Sequence, residues 1–215
     1  MAQQERGVRT RRAILEAAAV AFAEHGYTAA TVADILRTAG VTKGAMYFHF
    51  DSKEALARGV LEVQTEQVLP EQEIKLQEVV DVAMAMTHRL VHEPLLRAGT
   101  RLSADPVAAR RHRGGAWPLW GDLLTEFLTE AHERGETLAH VVPREVAELV
   151  VGALNGVHLY SQLETGLSDV EARVSTLLRH LLLSIARPAV LACLDVAPDR
   201  GARVVREVAR MPASA

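Results

Sequence analysis

Between Thr31 and Lys53 the chain reads TVADILRTAGVTKGAMYFHFDSK. Val32, Ile35 and Leu36 recur at helical spacing behind Thr31, a good N-cap, with Asp34 three residues on as an acidic form of the capping box. Gly40 supplies the helix stop. Val41 then reads as a buried turn residue and Thr42 as the cap of a second short helix. That helix sorts into two sets. Ala45, Met46, Phe48 and Phe50 form an apolar set expected to pack inward. Thr42, Lys43, Gly44, Tyr47 and His49 form a compact polar face. Two short helices joined by so tight a turn leave the chain few ways to fold.

The arrangement is that of a helix-turn-helix, whose second helix enters the major groove of DNA. Each polar residue suits such a task. A helix N-terminus offers backbone N–H groups and the positive end of the helix dipole to a phosphate. Thr42 adds a hydroxyl there, and Gly44 lets a sugar-phosphate backbone approach closely. Lys43 can reach guanine O6 and N7 or a phosphate, and Tyr47 and His49 can donate to backbone oxygens or bases. Lys53, opening the next helix, is placed for another phosphate, and Arg9 belongs to a basic N-terminal stretch. The alternative is that the aromatics are core residues and Lys43 a solvated lysine. Turn, cap, glycine and polar face occurring in this order weigh against it.

A first helix is expected from about Gln4 to His25, with Ile14, Ala17, Ala18, Ala21 and Phe22 as its apolar stripe and Gly26 as its stop. Asp51 and Ser52 are cap candidates for a fourth helix carrying Ala55, Leu56, Val60 and Leu61. Pro70 breaks the chain after it. Further prolines at 94, 106, 118, 143 and 188 punctuate amphipathic segments near 73–92, 94–104, 118–134, 143–166 and 168–186. The stretch from Ala104 to Pro118, ADPVAARRHRGGAWP, reads as a loop. The expected fold is all-α, with a helix-turn-helix DNA-binding domain at 1–52 and a larger helical domain for ligand binding and dimerisation at 53–215.

Composition is consistent with this. Hydrophobic residues make up 49% of 215 residues and aromatics only 4%, a helix-rich globular balance. The net charge of −3 argues against nucleic acid only until its distribution is read. Residues 1–12 hold Arg6, Arg9, Arg11 and Arg12 against Glu5 alone, and attraction to phosphate depends on local charge. Cys193, the single cysteine, sits in a leucine-rich stretch and reads as a small core residue in a reducing cytoplasm. No signal-peptide core and no membrane-length apolar run is present.

The segment TVADILRTAGVTKGAMYFHFDSKEAL closely resembles the DNA-binding signature of TetR-type transcriptional repressors. Within that family VTKGAMYFHFDSKEALA is similar to the γ-butyrolactone and butenolide receptors of filamentous actinobacteria. RAGTRLS (97–103), the Trp120 region and SIARPAVLACLD (184–195) resemble the same branch, so the likeness spans nearly the whole chain. Met46 departs from it, standing where the branch usually has leucine. The resemblance implies a homodimer on a roughly palindromic DNA operator, released by a small lactone-type effector, with a role in secondary metabolism. A receptor-like repressor answering to an antibiotic or another apolar molecule is the alternative.

The resemblance also makes Trp120 the pocket tryptophan that covers the effector; the residues alone favour an ordinary core tryptophan. Gln64, Leu124, Leu154, Asn155 and His158 are the further ligand-binding candidates, with Ser161 a lesser one. The segment 143–166 carries Leu149, Val150, Ala153, Leu154 and Val157, with Gly152 and Gly156 at i and i+4 on one face, which permits close helix approach. With Val174, Leu177, Leu178, Leu181 and Leu182 of 168–186, this pair is the expected dimer interface. His88 and His92 stand at i and i+4, but no glutamate completes a zinc-protease motif and the sequence offers no third ligand, so no metal is expected. ARRHRG (109–114) reads as a solvated loop. Ser161, His158 and Cys193 lie in no nucleophile elbow, and no phosphate-cradling loop appears, so neither catalysis nor a cofactor is expected.

Overall fold

The computed structural model describes residues 2–62, 70–104, 107 and 117–211. Among them the fold is all-α, as expected from the sequence, with one isolated pairing between Thr137 and Ala186 in place of any sheet. The chain divides into two compact units, Met1–Glu66 with Glu93–Pro118, and Gln67–His92 with Leu119–Ala215.

The first unit holds α1 (Ala2–Ala29), α2 (Val32–Ala39), α3 (Lys43–His49), α4 (Lys53–Glu62) and α6 (Pro94–Ala104). The stripe foreseen on α1 is buried along its length, from Ile14 to Phe22. Gly26 breaks the helix as expected, with φ of 73°, yet the chain resumes helical geometry to Ala29. Each following helix starts on a short polar side chain. Thr31 Oγ1 accepts from the Asp34 N–H, Thr42 Oγ1 from that of Ala45, and Ser52 Oγ from that of Ala55. Asp34 accepts the Thr31 hydroxyl and the Arg37 guanidinium, and those contacts hold its carboxyl below the usual range. Gly40 ends α2 in the left-handed region at φ 64°. Val41 is half-buried rather than buried, packed on the rim of the core. Met46, Phe50, Leu56 and Val60 close that core with Leu95, Ala98 and Leu102 of α6, and the Arg101 guanidinium donates to the Ala23 carbonyl.

The second unit is built on α5 (Lys75–His92), with α7 (Trp117–Glu133, from Leu119 onward), α8 (Pro143–Thr165), α9 (Val170–Ile185), the short α10 (Pro188–Leu191) and α11 (Arg200–Val208). Twelve residues of α5 are buried. Its N-terminus is capped from a distance, because the buried Glu136 carboxylate accepts the N–H groups of Lys75 and Leu76 at 2.9 and 2.7 Å. The fully buried Asp81 takes a two-pronged contact from Arg200, at 2.7 and 2.6 Å, and further bonds from Gln72 and Gln77. At the turn between α8 and α9, Asp169 accepts from Ser161, Thr165 and Arg173, which hold its carboxyl far below the ordinary range.

Cys193 is exposed, contrary to the sequence reading. The leucine-rich stretch breaks at Pro188, and its residues fall on a single helical turn and a bend, not on a buried helix. No helix among the described residues is long and apolar enough to cross a membrane.

Candidate nucleic-acid interface and effector site

A helix of seven residues has little stability of its own, so α3 is held by what it buries. Met46 is fully buried and Phe50 nearly so, with the Arg11 guanidinium 5.1 Å above the Phe50 ring. These anchors turn the opposite face to solvent. Thr42, Lys43, Gly44 and Tyr47 all lie on that exposed face, and Lys43 Nζ stands 5.8 Å from the centre of the Tyr47 ring.

Phe48 corrects the sequence reading. It is 85% exposed, because it lies two residues, and so about 200° around the helix, from the buried Met46. It joins the outward face, and His49, half-buried, meets its ring edge-on at 5.1 Å. Hydrophobicity alone could not assign its direction; counting 100° per residue from Met46 could have.

Lys53 is half-buried and committed within the unit. Its ammonium donates to the Thr28 carbonyl at 3.2 Å and sits 4.8 Å over the Tyr27 ring, whose hydroxyl bonds Glu54. Arg9 is exposed on α1.

The candidate effector residues that the structure describes, Trp120, Leu124, Leu154, Asn155 and His158, belong to the second unit. Trp120 and Leu124 lie on the buried side of α7, and Leu154 and His158 on the buried side of α8. Asn155 is half-buried and spends an amide hydrogen on the Val151 carbonyl one turn back, at 2.7 Å. His158 Nε2 meets Thr87 Oγ1 of α5 at 3.0 Å. The Thr87 hydroxyl already donates to the Ala83 carbonyl, so it can only accept here, which places the imidazole proton on Nε2. Burial lowers the His158 pKa to about 4 and keeps the ring neutral. Ser161 is engaged with Asp169 at the α8–α9 turn. Gln64 and the 109–114 segment lie outside the described residues, as does most of the loop expected between 104 and 118.

Trp120 differs from its neighbours in one respect. It is 7% exposed, and its indole N–H has no hydrogen-bond partner among the described residues. A buried donor without an acceptor costs about 1–3 kcal/mol.

The faces of α8 and α9 turned away from this core are also informative. Leu149, Leu159, Tyr160 and Leu163 are exposed on α8, and Leu183 on α9. A methyl group on Gly152 or Gly156 would touch nothing within 4 Å. The inner half of the expected interface set is ordinary core, since Val150, Leu154, Val174, Leu178 and Leu182 are buried.

The chain is similar to known proteins over most of its length. Residues 14–60 match the model of the bacterial regulatory proteins, tetR family. The A-factor receptor protein of Streptomyces griseus is 42% identical over 195 residues, covering 89% of this chain and 69% of that protein. A full-length structure of TylP, a TetR regulator from Streptomyces fradiae, superimposes with a TM-score of 0.88 at 39% identity, covering 95% of this chain and all of that one. A γ-butyrolactone receptor described as ArpA-like superimposes with a TM-score of 0.67 at 26% identity, covering 94% and 98% of the two chains.

Proposed function

This chain belongs to the tetR family of bacterial regulatory proteins, and from that premise we propose that it is a transcriptional repressor released from its operator by a small lactone-type effector. The outward face of α3 is the observation that carries the reading. Lys43, Gly44, Tyr47 and Phe48 project from a helix whose other side is fixed by Met46 and Phe50. Residues 1–52 act as the DNA-binding domain, with Thr42, Lys43, Gly44, Tyr47 and His49 as its contact face and Arg9 approaching phosphate. Lys53, whose ammonium also bonds the Thr28 carbonyl and lies over the Tyr27 ring, is placed for a further phosphate.

Residues 53–215 receive the effector and pair two copies. Trp120, Leu124, Leu154, Asn155 and His158 are the ligand-binding set. The open indole N–H of Trp120 supports an effector with a carbonyl or ring oxygen in an otherwise apolar body. The exposed apolar faces of α8 and α9 support a homodimer, whose two heads meet the halves of a roughly palindromic operator. Effector binding then shifts the population away from the DNA-competent form, by as much as its affinities for the two forms differ.

The test begins with operator selection from genomic fragments, followed by titration of the complex with a synthetic γ-butyrolactone. Lys43→Ala should weaken operator binding by roughly 1–3 kcal/mol while the protein remains dimeric. Trp120→Ala should bind the operator normally and lose its response to the lactone. Operator affinity unchanged in the first variant would reject the assigned face, and undiminished release in the second would reject the assigned pocket.

A further inference from the structure

We propose that His88 and His92 of α5, with Glu171 of α9, form a binding site for a divalent cation of the zinc class. Along the sequence the two histidines are an i, i+4 pair with no third ligand. The fold supplies one, because the first turn of α9 brings Glu171 to His88, with Oε1 2.7 Å from Nδ1. The two imidazole rings stand 4.4 Å apart, centre to centre, at 52° to each other. One ligating atom from each of the three residues lies within 4.8 Å of the others.

An ion about 2.0–2.2 Å from each donor would hold tetrahedral ligand atoms about 3.3–3.5 Å apart. Closing the set therefore takes a side-chain adjustment of roughly an ångström. The groups are suited to it. His88 and Glu171 are partly buried and set the position, while the exposed His92 is the last residue of α5 and can swing. His88 exchanges its hydrogen bond with Glu171 for a shared ion.

The donor set selects the ion class. Two imidazole nitrogens and one carboxylate suit Zn²⁺ and its neighbours Ni²⁺, Co²⁺ and Cu²⁺, whereas Mg²⁺ and Ca²⁺ demand oxygen ligands. Three protein ligands leave a coordination position for water, so the site is open and reversible. The α5 C-terminus adds the negative end of a helix dipole. A pin between α5 and α9 would need only the His88–Glu171 pair. The second imidazole adds no ion pair to that pin, but it adds a ligand.

The experiment uses full-length protein without a histidine tag, stripped of metal by a chelator. Zn²⁺ is titrated by calorimetry, and Co²⁺ by the visible bands of a four-coordinate site. One equivalent per chain is expected, with a rise in melting temperature through preferential binding to the native state. His92→Ala and Glu171→Gln should each lower Zn²⁺ affinity at least tenfold, and His180→Ala, a surface control, should not. His92 is exposed, so its variant should melt like the parent protein without metal. Absence of stoichiometric binding to the parent protein would overturn the site. Affinity undiminished in both ligand variants would do the same.

Discussion

A methyl group at Gly44 would meet nothing among the described residues within 4 Å, its own helix turn apart. Nothing inside the protein asks for glycine there, although glycine in a helix costs about 1 kcal/mol relative to alanine. On the proposed reading, the space above Gly44 is used by the DNA that docks on α3. Gly44→Ala should thus leave the free protein equally stable or up to about 1 kcal/mol more stable in denaturant unfolding, yet weaken operator binding in an anisotropy titration. Loss of stability, or unchanged operator affinity, would contradict this account. Phe48 shows the limit of reading such a helix from composition. Its hydrophobicity suggested the core, and its angular position put it in solvent. His158 offers a second test at this scale. Its folded-state pKa of about 4 lies below the ordinary 6.5, so the unfolded chain binds the extra proton between those values. The stabilisation is complete above about pH 6.5 and disappears as pH falls towards 4, amounting to about 3 kcal/mol. Unfolding measured at pH 7.5 and 5 should show about 2 kcal/mol of that loss, and His158→Gln should flatten it.

At the scale of helices, the sequence was most readable where apolar period and punctuation coincide. Pro94 and Pro143 open α6 and α8 at their first positions, and Gly40 and Gly166 close α2 and α8 in left-handed geometry. The two short helices behind the proposed DNA face were legible for the same reason, since cap, turn and glycine are local signals. What stayed hidden depends on residues far apart in sequence. Glu136 caps a helix that begins 61 residues earlier in the chain. Arg200 neutralises a carboxylate 119 residues away, from α11, a helix of nine residues whose partner on α5 no local signal names. The third metal ligand, 83 residues from His88, was invisible on the same grounds. The Asp81 contact makes a strong prediction. Asp81→Ala leaves the Arg200 guanidinium 13% exposed without its main counter-ion and should cost roughly 3–5 kcal/mol in chemical denaturation. Double replacement by apolar residues of similar volume should recover most of that loss; no recovery would mean that burial, not charge pairing, sets the penalty.

For the whole molecule, the outward faces of α8 and α9 are the feature a single chain does not explain. Leu163 is 75% exposed and Leu183 63%, beside two glycines that leave room for another backbone. Leu163→Glu should therefore yield a folded monomer in sedimentation equilibrium, with the melting transition shifted through loss of assembly rather than of core packing. Operator affinity should fall steeply with it, because two heads would no longer be held together. A dimer that survives the charge would move the interface elsewhere. Periodicity marked these helices as candidates, but their apolar residues proved divided between an inner and an outer row, a distinction only three-dimensional burial draws.

The late-arriving helices carry a consequence for how the protein is made. Leu95, Ala98 and Leu102 of α6 belong to the core around α1, so that core is incomplete while the ribosome is still translating α5. The other unit waits longer. Gly201 approaches the Met84 carbonyl so closely that an added Cβ would lie 2.1 Å from its oxygen, and Val204 beside it is fully buried. Until α11 has left the exit tunnel, Asp81 lacks its arginine and α5 lacks a neighbour along that flank. The nascent chain must therefore carry unfinished apolar surface until α11 has been made, and a stalled or prematurely released chain ending before residue 200 should be a preferred target for chaperones and proteases.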